Sequence, residues 1–339
     1  QFFIEVATQE DSADVSIPLS EPLQNINPKE GVLFGIDLGR TAIKIAVIEN
    51  GEITFTKLVS WPQPLEEIAE AIQLVDNIQK AVEEVVTERN IKEISAIGIS
   101  WAGKVVNGQP VSPIIGLEKL NPKVSLEEFD RLKSMAKELS QRLKVFTWVS
   151  NDGDSQGFGA AVHFGKKNSI TFGMGGGLSF GYSDENLNLP DILGEAGNVV
   201  IDTAKDASQH TFTGMPGVLQ VYLSQHAVVR LAEKLGIDLS GVERDYERAE
   251  EVGKLLEQGD PRAVKVFKMM GRYLVSAIVE ISRYLKVENV FISGGVTTGN
   301  SGEVIRDSAI NILEAEHPGL NINIEIFTSR FGAAVGAAY

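Results

Sequence analysis

The sequence predicts a mixed α/β protein of two lobes that repeat one βββαβα plan around a cleft. Three observations carry that prediction. At 339 residues the chain is long for one compact core and comfortable for two. After residue 30, apolar runs of strand length alternate with apolar stripes of helical period. A strand that runs into a glycine-containing hairpin opens each half, at Phe34–Val47 and again at Ser169–Tyr182, a weak internal duplication.

Residues 1–30 are polar and carry Glu10, Asp11, Asp14 and Glu21 with Pro18, Pro22 and Pro28, so an extension or a peripheral strand, outside the main core, is expected there. Residues 31–150 are assigned to the first lobe. Val32–Asp37 is apolar on both faces, as a buried strand must be. Ile43–Ile48 is a second strand, and Asn50-Gly51 turns the chain into a third, Glu52–Val59. Ile68, Ile72, Val75, Ile78, Val82, Val85 and Val86 recur at helical spacing. Ile94–Ser100 is the next strand, Leu132, Ala136, Leu139 and Leu143 mark a helix, and Val145–Val149 a further strand. That order implies a sheet that is parallel except where the hairpin inserts.

Residues 151–328 are assigned to the second lobe. Ser169–Phe172 is a strand leading into Gly173–Gly177, with Leu178–Tyr182 as its hairpin partner. Val218 to Leu256 reads as largely helical, broken around Ser240–Asp245. Val264, Phe267, Leu274, Ala277, Ile278, Ile281 and Leu285 stripe a long helix, Val290–Ser293 is a strand, and another helix is expected to begin near Glu303. Asn321–Phe327 is the last strand and Gly332–Ala338 a helix of small residues, with residues 329–339 expected to rejoin the first lobe.

Charge and composition exclude several functions. The net charge of −15 repels nucleic-acid phosphates, and no basic run compensates for it. An anionic partner must then be held locally, by backbone N–H groups, a helix terminus or a metal ion. The absence of cysteine excludes disulfides, thiolate chemistry and cysteine-ligated zinc. No apolar run reaches the length of a membrane span, and Gln1–Glu5 lacks a basic region followed by an apolar one, so a cytoplasmic protein is expected.

Four segments bear the chemistry. In Gly35-Ile36-Asp37-Leu38-Gly39-Arg40-Thr41, a carboxylate at a strand end and a hairpin glycine suit a phosphate with a hydrated Mg²⁺, and equally an ordinary β-hairpin. Gly173-Met174-Gly175-Gly176-Gly177, directly after a buried strand, favours phosphate contact through backbone N–H groups. Ser150-Asn151-Asp152-Gly153-Asp154 follows a strand, where Asp152 can take a proton from an attacking hydroxyl; the same residues also make an Asx turn. Ser293-Gly294-Gly295 suits an adenine or ribose lying against bare backbone.

Taken in order, these segments resemble the ROK family of sugar kinases and repressors, within the actin/hexokinase-like (ribonuclease H-like) superfamily, over residues 31–339. Gly35–Lys44 is similar to the family's first phosphate motif, Asp-(Ile/Leu)-Gly-Gly-Thr-Lys, and Ile97–Gly103 to its Ile-Gly-hydrophobic-x-x-Pro-Gly segment. Asn151–Asp154 resembles Asn-Asp-Ala-Asn, and Gly173–Gly177 the second phosphate loop. Gly194–Asn198 resembles Gly-Glu-x-Gly-His, and Gly214–Ser224 the motif Gly-x-x-Gly-Cys-Leu-Glu-x-Tyr-x-Ser.

The resemblance implies ATP-dependent, glucokinase-like phosphorylation of a hexose or related sugar. Asp152 would be the general base. Asp37 would hold Mg²⁺ through water, and Gly39, Arg40, Thr41, Lys44, Gly173, Gly175, Gly176, Gly294 and Gly295 would hold ATP. Asn151, Asp154, Glu195 and Asn198 would bind the sugar. It also implies small-molecule partners only, with a homodimer common in the family.

Departures from the pattern motivate a rival, a catalytically weak sugar sensor without a DNA-binding domain. Arg40 replaces a glycine, Met174 a threonine and Asp154 an asparagine, and the sugar-binding Pro-Asn-Leu segment has only Ile114–Leu117 and Leu120–Pro122 as imperfect stand-ins. The family's zinc ligands fall at Asn198, Thr211, Thr213 and Val218, so no structural zinc is expected, while His210 and His226 read as ordinary surface residues.

Overall fold

A computed structural model of the chain describes residues 30–39, 42–62, 68, 70–111, 126–187, 196–210 and 213–339. The expected extension over residues 1–29 lies outside the described residues. Two sheets organise the rest.

The first sheet contains β1 (Val32–Leu38), β2 (Ala42–Glu49), β3 (Glu52–Ser60), β4 (Ala96–Trp101) and β7 (Phe146–Asn151), in the spatial order β3-β2-β1-β4-β7. β1, β4 and β7 run parallel, and β2 and β3 add antiparallel on one side, as the early hairpin implies. Asn50 takes a left-handed φ of 54° in the turn between β2 and β3. A short ribbon, β5 (Val105–Val106) and β6 (Gln109–Pro110), projects after β4. One face of the sheet buries Phe34, Ile36, Ile43 and Ile45 against α1 (Ala71–Arg89) and Met135 and Leu139 of α3 (Met135–Leu143). The single helix expected around Leu132–Leu143 is a pair, because α2 (Leu126–Leu132) breaks before Ser134.

The second sheet is β8 (Ser169–Met174), β9 (Leu178–Ser183), β10 (Asn289–Ser293) and β11 (Asn323–Ile326), in the order β11-β10-β8-β9. α5 (Gln225–Lys234), α6 (Asp245–Glu257), α7 (Pro261–Ile281) and α8 (Asn300–Glu316) close the larger core on one side of it. Asp260 caps α7 through its side chain, with Pro261 at the first helical position where its missing N–H costs nothing. No helix among the described residues is long and apolar enough to cross a membrane.

Two helices lie between the sheets. One is α9 (Gly332–Ala338), the small-residue helix expected to rejoin the first lobe; Ala334, Val335 and Ala338 pack on Leu33, Ala46, Ile48 and Ala96. The other, α4 (Asp152–Phe164), was not foreseen, since Asn151–Asp154 reads from sequence as a turn. It packs on the second sheet, Gly153 against Phe180 and Gly157 against Gly181. α4 and α9 meet backbone to backbone. A Cβ built on Gly336 would stand 1.7 Å from Ser155 O, and one on Gly159 would stand 2.2 Å from Gly332 O. Only glycine permits that spacing.

The seam yields a test by contrast. Gly336→Ala is expected to destabilise the fold by about 1–3 kcal/mol or more, because backbone rather than a yielding side chain must move. Gly253→Ala, inside α6 where a Cβ meets nothing within 4 Å, should stabilise by roughly 0.5–1 kcal/mol. Urea unfolding of both variants measures the difference.

Candidate active site

Register places the first group of residues. β1 pairs with β4 so that Asp37 faces Ser100, and β4 pairs with β7 so that Ser100 faces Ser150. Across the antiparallel edge Asp37 faces Lys44. The carboxyl ends of β1, β4 and β7, with the start of the antiparallel β2, therefore carry one polar row, Lys44–Asp37–Ser100–Ser150. Lys44 Nζ donates to Asp37 Oδ2 at 2.6 Å and Ser100 Oγ to Asp37 Oδ1 at 3.2 Å. Asp37 is 8% exposed, so this pairing is what makes its burial tolerable.

Gly39 follows directly, its N–H on Asp37 O and its carbonyl accepting from Trp61 Nε1 at 2.9 Å. Trp61 thus anchors the first hairpin, a contact with no local sequence signal. Arg40 and Thr41 lie outside the described residues.

β7 ends at Asn151, the N-cap of α4. Its Oδ1 accepts from Gly153 N at 2.9 Å and Asp154 N at 3.3 Å, and its Nδ2 donates to Gly103 O at 2.8 Å. Asn151 thereby ties the helix start to the loop after β4. Asp152 and Asp154 occupy the first turn, half-buried, where the helix dipole favours negative charge. Two strand spacings, about 10 Å, separate Asp37's strand from the one that delivers Asp152.

The second sheet repeats the arrangement. Gly173 of β8 faces Ser179 of β9 and Ser293 of β10 in one row at the strand ends. Gly175 N–H bonds Gly177 O at 2.9 Å, which tightens the hairpin, and Gly175 O accepts from Gln225 N at the start of α5. Gly176 stands exposed at the tip. Gly294 has φ 95°, and a Cβ there would meet Met174 O at 2.5 Å, so the turn after β10 presses on the hairpin. A Cβ on Gly295 would stand 3.4 Å from Gln225 Nε2 and one on Gly176 3.7 Å from Gln225 Oε1. The glycines predicted from sequence thus converge on Gln225, which sequence reasoning missed. Met174 points into the large core and is fully buried, away from the hairpin tip.

Glu195 and the stand-ins Ile114–Leu117 and Leu120–Pro122 lie outside the described residues. Asn198 closes a 3-10 turn and is exposed. Thr211 is likewise outside, and the other positions where the resemblance would put zinc ligands do not fit the ion. Val218 is a fully buried aliphatic, and Thr213 donates its backbone N–H and hydroxyl toward His210 Nδ1 at 3.1 and 3.0 Å. His210 is 7% exposed, which corrects its reading as a surface residue; the two bonds to Thr213 make it part of the loop's core. His226 is half-exposed, 3.4 Å from Asp245.

The loop is fastened by other means. Tyr222 Oη donates to Asp202 Oδ2 at 2.5 Å and accepts from Ser208 N at 3.1 Å. The Arg230 guanidinium lies 5.0 Å above the Tyr222 ring and its Nη2 donates to Val221 O. Isolated bridges Val200–Val218 and Gln209–Pro216 close the loop. The Tyr222 hydroxyl holds the Asp202 carboxyl below its ordinary value of 3.8, and burial, then Asp202, push Tyr222 up.

Residues 33–338 match the sequence model described as the ROK family. Among solved structures, the chain is similar to a ROK family glucokinase from Streptomyces griseus in complex with glucose and AMPPNP, with 21% identity and a TM-score of 0.65 over 91% of this chain and 98% of that one. It is also similar to the ROK hexokinase from Thermus thermophilus, with 17% identity and a TM-score of 0.69 over 91% and 97%. A ROK family transcriptional regulator, a homolog of the E. coli MLC protein, superposes with 18% identity and a TM-score of 0.68 over 92% of this chain and 78% of its own. No curated protein sequence matches.

The Tyr222–Asp202 pair has a pH signature. A depressed carboxyl pKa contributes stability that is present above the unfolded value, 3.8, and is lost as pH falls through the lower folded value. Tyr222→Phe should therefore cost about 1 kcal/mol at neutral pH, and the gap to wild type should close on acidification below that range. Thermal melts from pH 7 downward check it.

Proposed function

Because the chain belongs to the ROK family, whose actin/hexokinase-like fold it has, we propose that it is an ATP-dependent sugar kinase with Asp152 as general base. The observation that carries this is the pairing of two strand-end rows. One presents Asp37 and the Asp152 helix, the other a glycine hairpin beside Gly294–Gly295.

In the proposed reaction a sugar hydroxyl oxygen attacks the γ-phosphorus, its proton passes to an Asp152 carboxylate oxygen, and the bond from the γ-phosphorus to the β–γ bridging oxygen breaks to leave ADP. Asn151 caps the helix whose first residue is Asp152, and Gly175, Gly176, Gly294 and Gly295 would let backbone approach the nucleotide. Lys44 can exchange its bond to Asp37 for one to phosphate. Asp37 and Ser100 offer hard oxygen donors that fit a hydrated Mg²⁺, which would neutralise phosphate charge when bound. Asn198, Asp154 and Glu195 are the assigned sugar contacts, and a hexose or hexose derivative the assigned substrate class. Lobe closure around residues 31–150 and 151–328 would keep water from competing with the sugar.

A sugar-sensing role without turnover is the second reading. It is favoured by burial of Met174, which leaves the hairpin without a hydroxyl, and by the similarity to a regulator.

A coupled ADP-release assay over hexoses, N-acetylhexosamines and fructose separates the two, with ATP binding followed by calorimetry. Turnover on at least one sugar is expected. ATP binding without turnover on any of them would favour the sensor. Asp152→Asn should keep sugar and ATP affinity and lose about 10²- to 10⁴-fold in kcat; near-wild-type kcat in that variant would rule out the assigned base.

A further inference from the structure

Gln156 sits one helical turn after Asp152, on the same face of α4. Its Nε2 donates to Ser293 Oγ at 2.8 Å, and its Oε1 accepts from Ser179 Oγ at 3.3 Å. Ser293 Oγ in turn donates to Phe172 O at 3.3 Å. Those serines flank Gly173 in the strand-end row, and a Cβ on Gly173 would stand 2.7 Å from Gln156 Oε1. The carboxamide therefore lies over the bare backbone of Gly173, where the phosphate hairpin leaves its strand.

We propose that Gln156 is a positioning residue for phosphoryl transfer. It fixes the register of the Asp152 helix against the hairpin and the Gly294–Gly295 turn, and this rests on the assignment of Asp152 as base. The other contacts of α4 with the sheet include close packing of Gly153 and Gly157 on Phe180 and Gly181, and apolar packing of Ala160 and Phe164 on Phe291. Packing of that kind sets the approach distance and resists sliding along the sheet weakly, because its energy varies little with small translations. Hydrogen bonds to two different strands, one donated and one accepted, are directional and oppose sliding. A base must meet the attacking hydroxyl within hydrogen-bond reach while the phosphate stays on the hairpin. One side chain links the elements that carry the two.

The arrangement also separates catalysis from folding. Without the carboxamide, Ser293 keeps its bond to Phe172 O, and Ser179 is half-exposed and can turn to water. Gln156→Leu conserves most of the volume and should leave the fold intact.

The test compares Gln156→Leu, Gln156→Glu, Ser293→Ala and the Leu/Ala double variant, using Mg·ATP and the best sugar of the panel, with Mg·AMPPNP and sugar affinities by calorimetry and thermal melts alongside. Gln156→Leu is expected to lose roughly 10- to 100-fold in kcat, as a misplacement of about 1 Å does, with KM and AMPPNP affinity within about twofold. Gln156→Glu keeps the acceptor for Ser179, and can accept from Ser293 only when that hydroxyl turns from Phe172 O, so it should recover part of the loss. Ser293→Ala should reproduce part of it, and the double variant should be no worse than Gln156→Leu, because both act through one contact.

Wild-type kcat in Gln156→Leu, with Asp152→Asn inactive, would overturn this inference and leave the assigned base standing. Losses in melting temperature and both affinities in proportion to kcat would show a merely structural residue. Turnover surviving in Asp152→Asn, or absent from wild type on every sugar, would overturn the underlying reading and this inference with it.

Discussion

Backbone lies against backbone where α4 crosses α9, with Ser155 O over Gly336 and Gly332 O over Gly159. Everything else in the cleft takes its spacing from that contact. α9 is fixed to the first sheet by close approaches at Gly35 and Gly98, where a Cβ would stand 1.7 and 1.5 Å from carbonyl oxygens of the helix. α4 is fixed to the second sheet at Gly153 and Gly157. The sheets are thus stacked through two helices whose facing sides carry almost no side chain. Such a joint brings polar strand ends from separate sheets near one another, and it has little side-chain interlocking to oppose a change of angle between them.

That construction explains what could and could not be read from sequence. Strands β1, β2, β4, β8 and β10 were legible because both faces are largely buried, which leaves continuous apolar runs. The long helix α7 was legible because one stripe is apolar and the other wet. α4 was illegible for the opposite reason. It buries Gly153, Ser155, Gly157, Gly159, Ala160 and Ala161, residues chosen for smallness rather than hydrophobicity, so no stripe of large apolar residues appears. Its first residues are also good turn formers, and Asn151 acts here as a cap by the same side-chain chemistry that makes Asx turns.

The site divides along similar lines. Asp37, Lys44, Asn151, Asp152 and the glycines stand at strand ends or within hairpins, positions that local pattern reveals. Trp61, Gln156 and Gln225 enter through tertiary contact. Gln156 reaches Ser293, 137 positions away in the chain, which no window of sequence can display. His210 failed for a related reason, since a lone histidine in a polar segment carries no mark of the loop that buries it.

If the proposed function holds, this acidic chain must concentrate its attraction for an anion. With a net charge of −15, the long-range field opposes nucleotide approach, and solvent ions screen that field beyond about 10 Å. Within the cleft the balance is local. Asp37 is already matched by Lys44, so the row's charge is close to neutral before any ligand arrives. A phosphate brought there meets an ammonium it can share and a carboxylate that a divalent cation can take over. On that reading the same pairing would make bare phosphate a poor ligand and a metal-complexed one a good fit, because removing Lys44 from Asp37 without replacing its charge would leave a buried carboxylate uncompensated. Under the proposed function, selection for the metal complex would follow from one cross-strand pair, Asp37 opposite Lys44, whose register is fixed by the first hairpin.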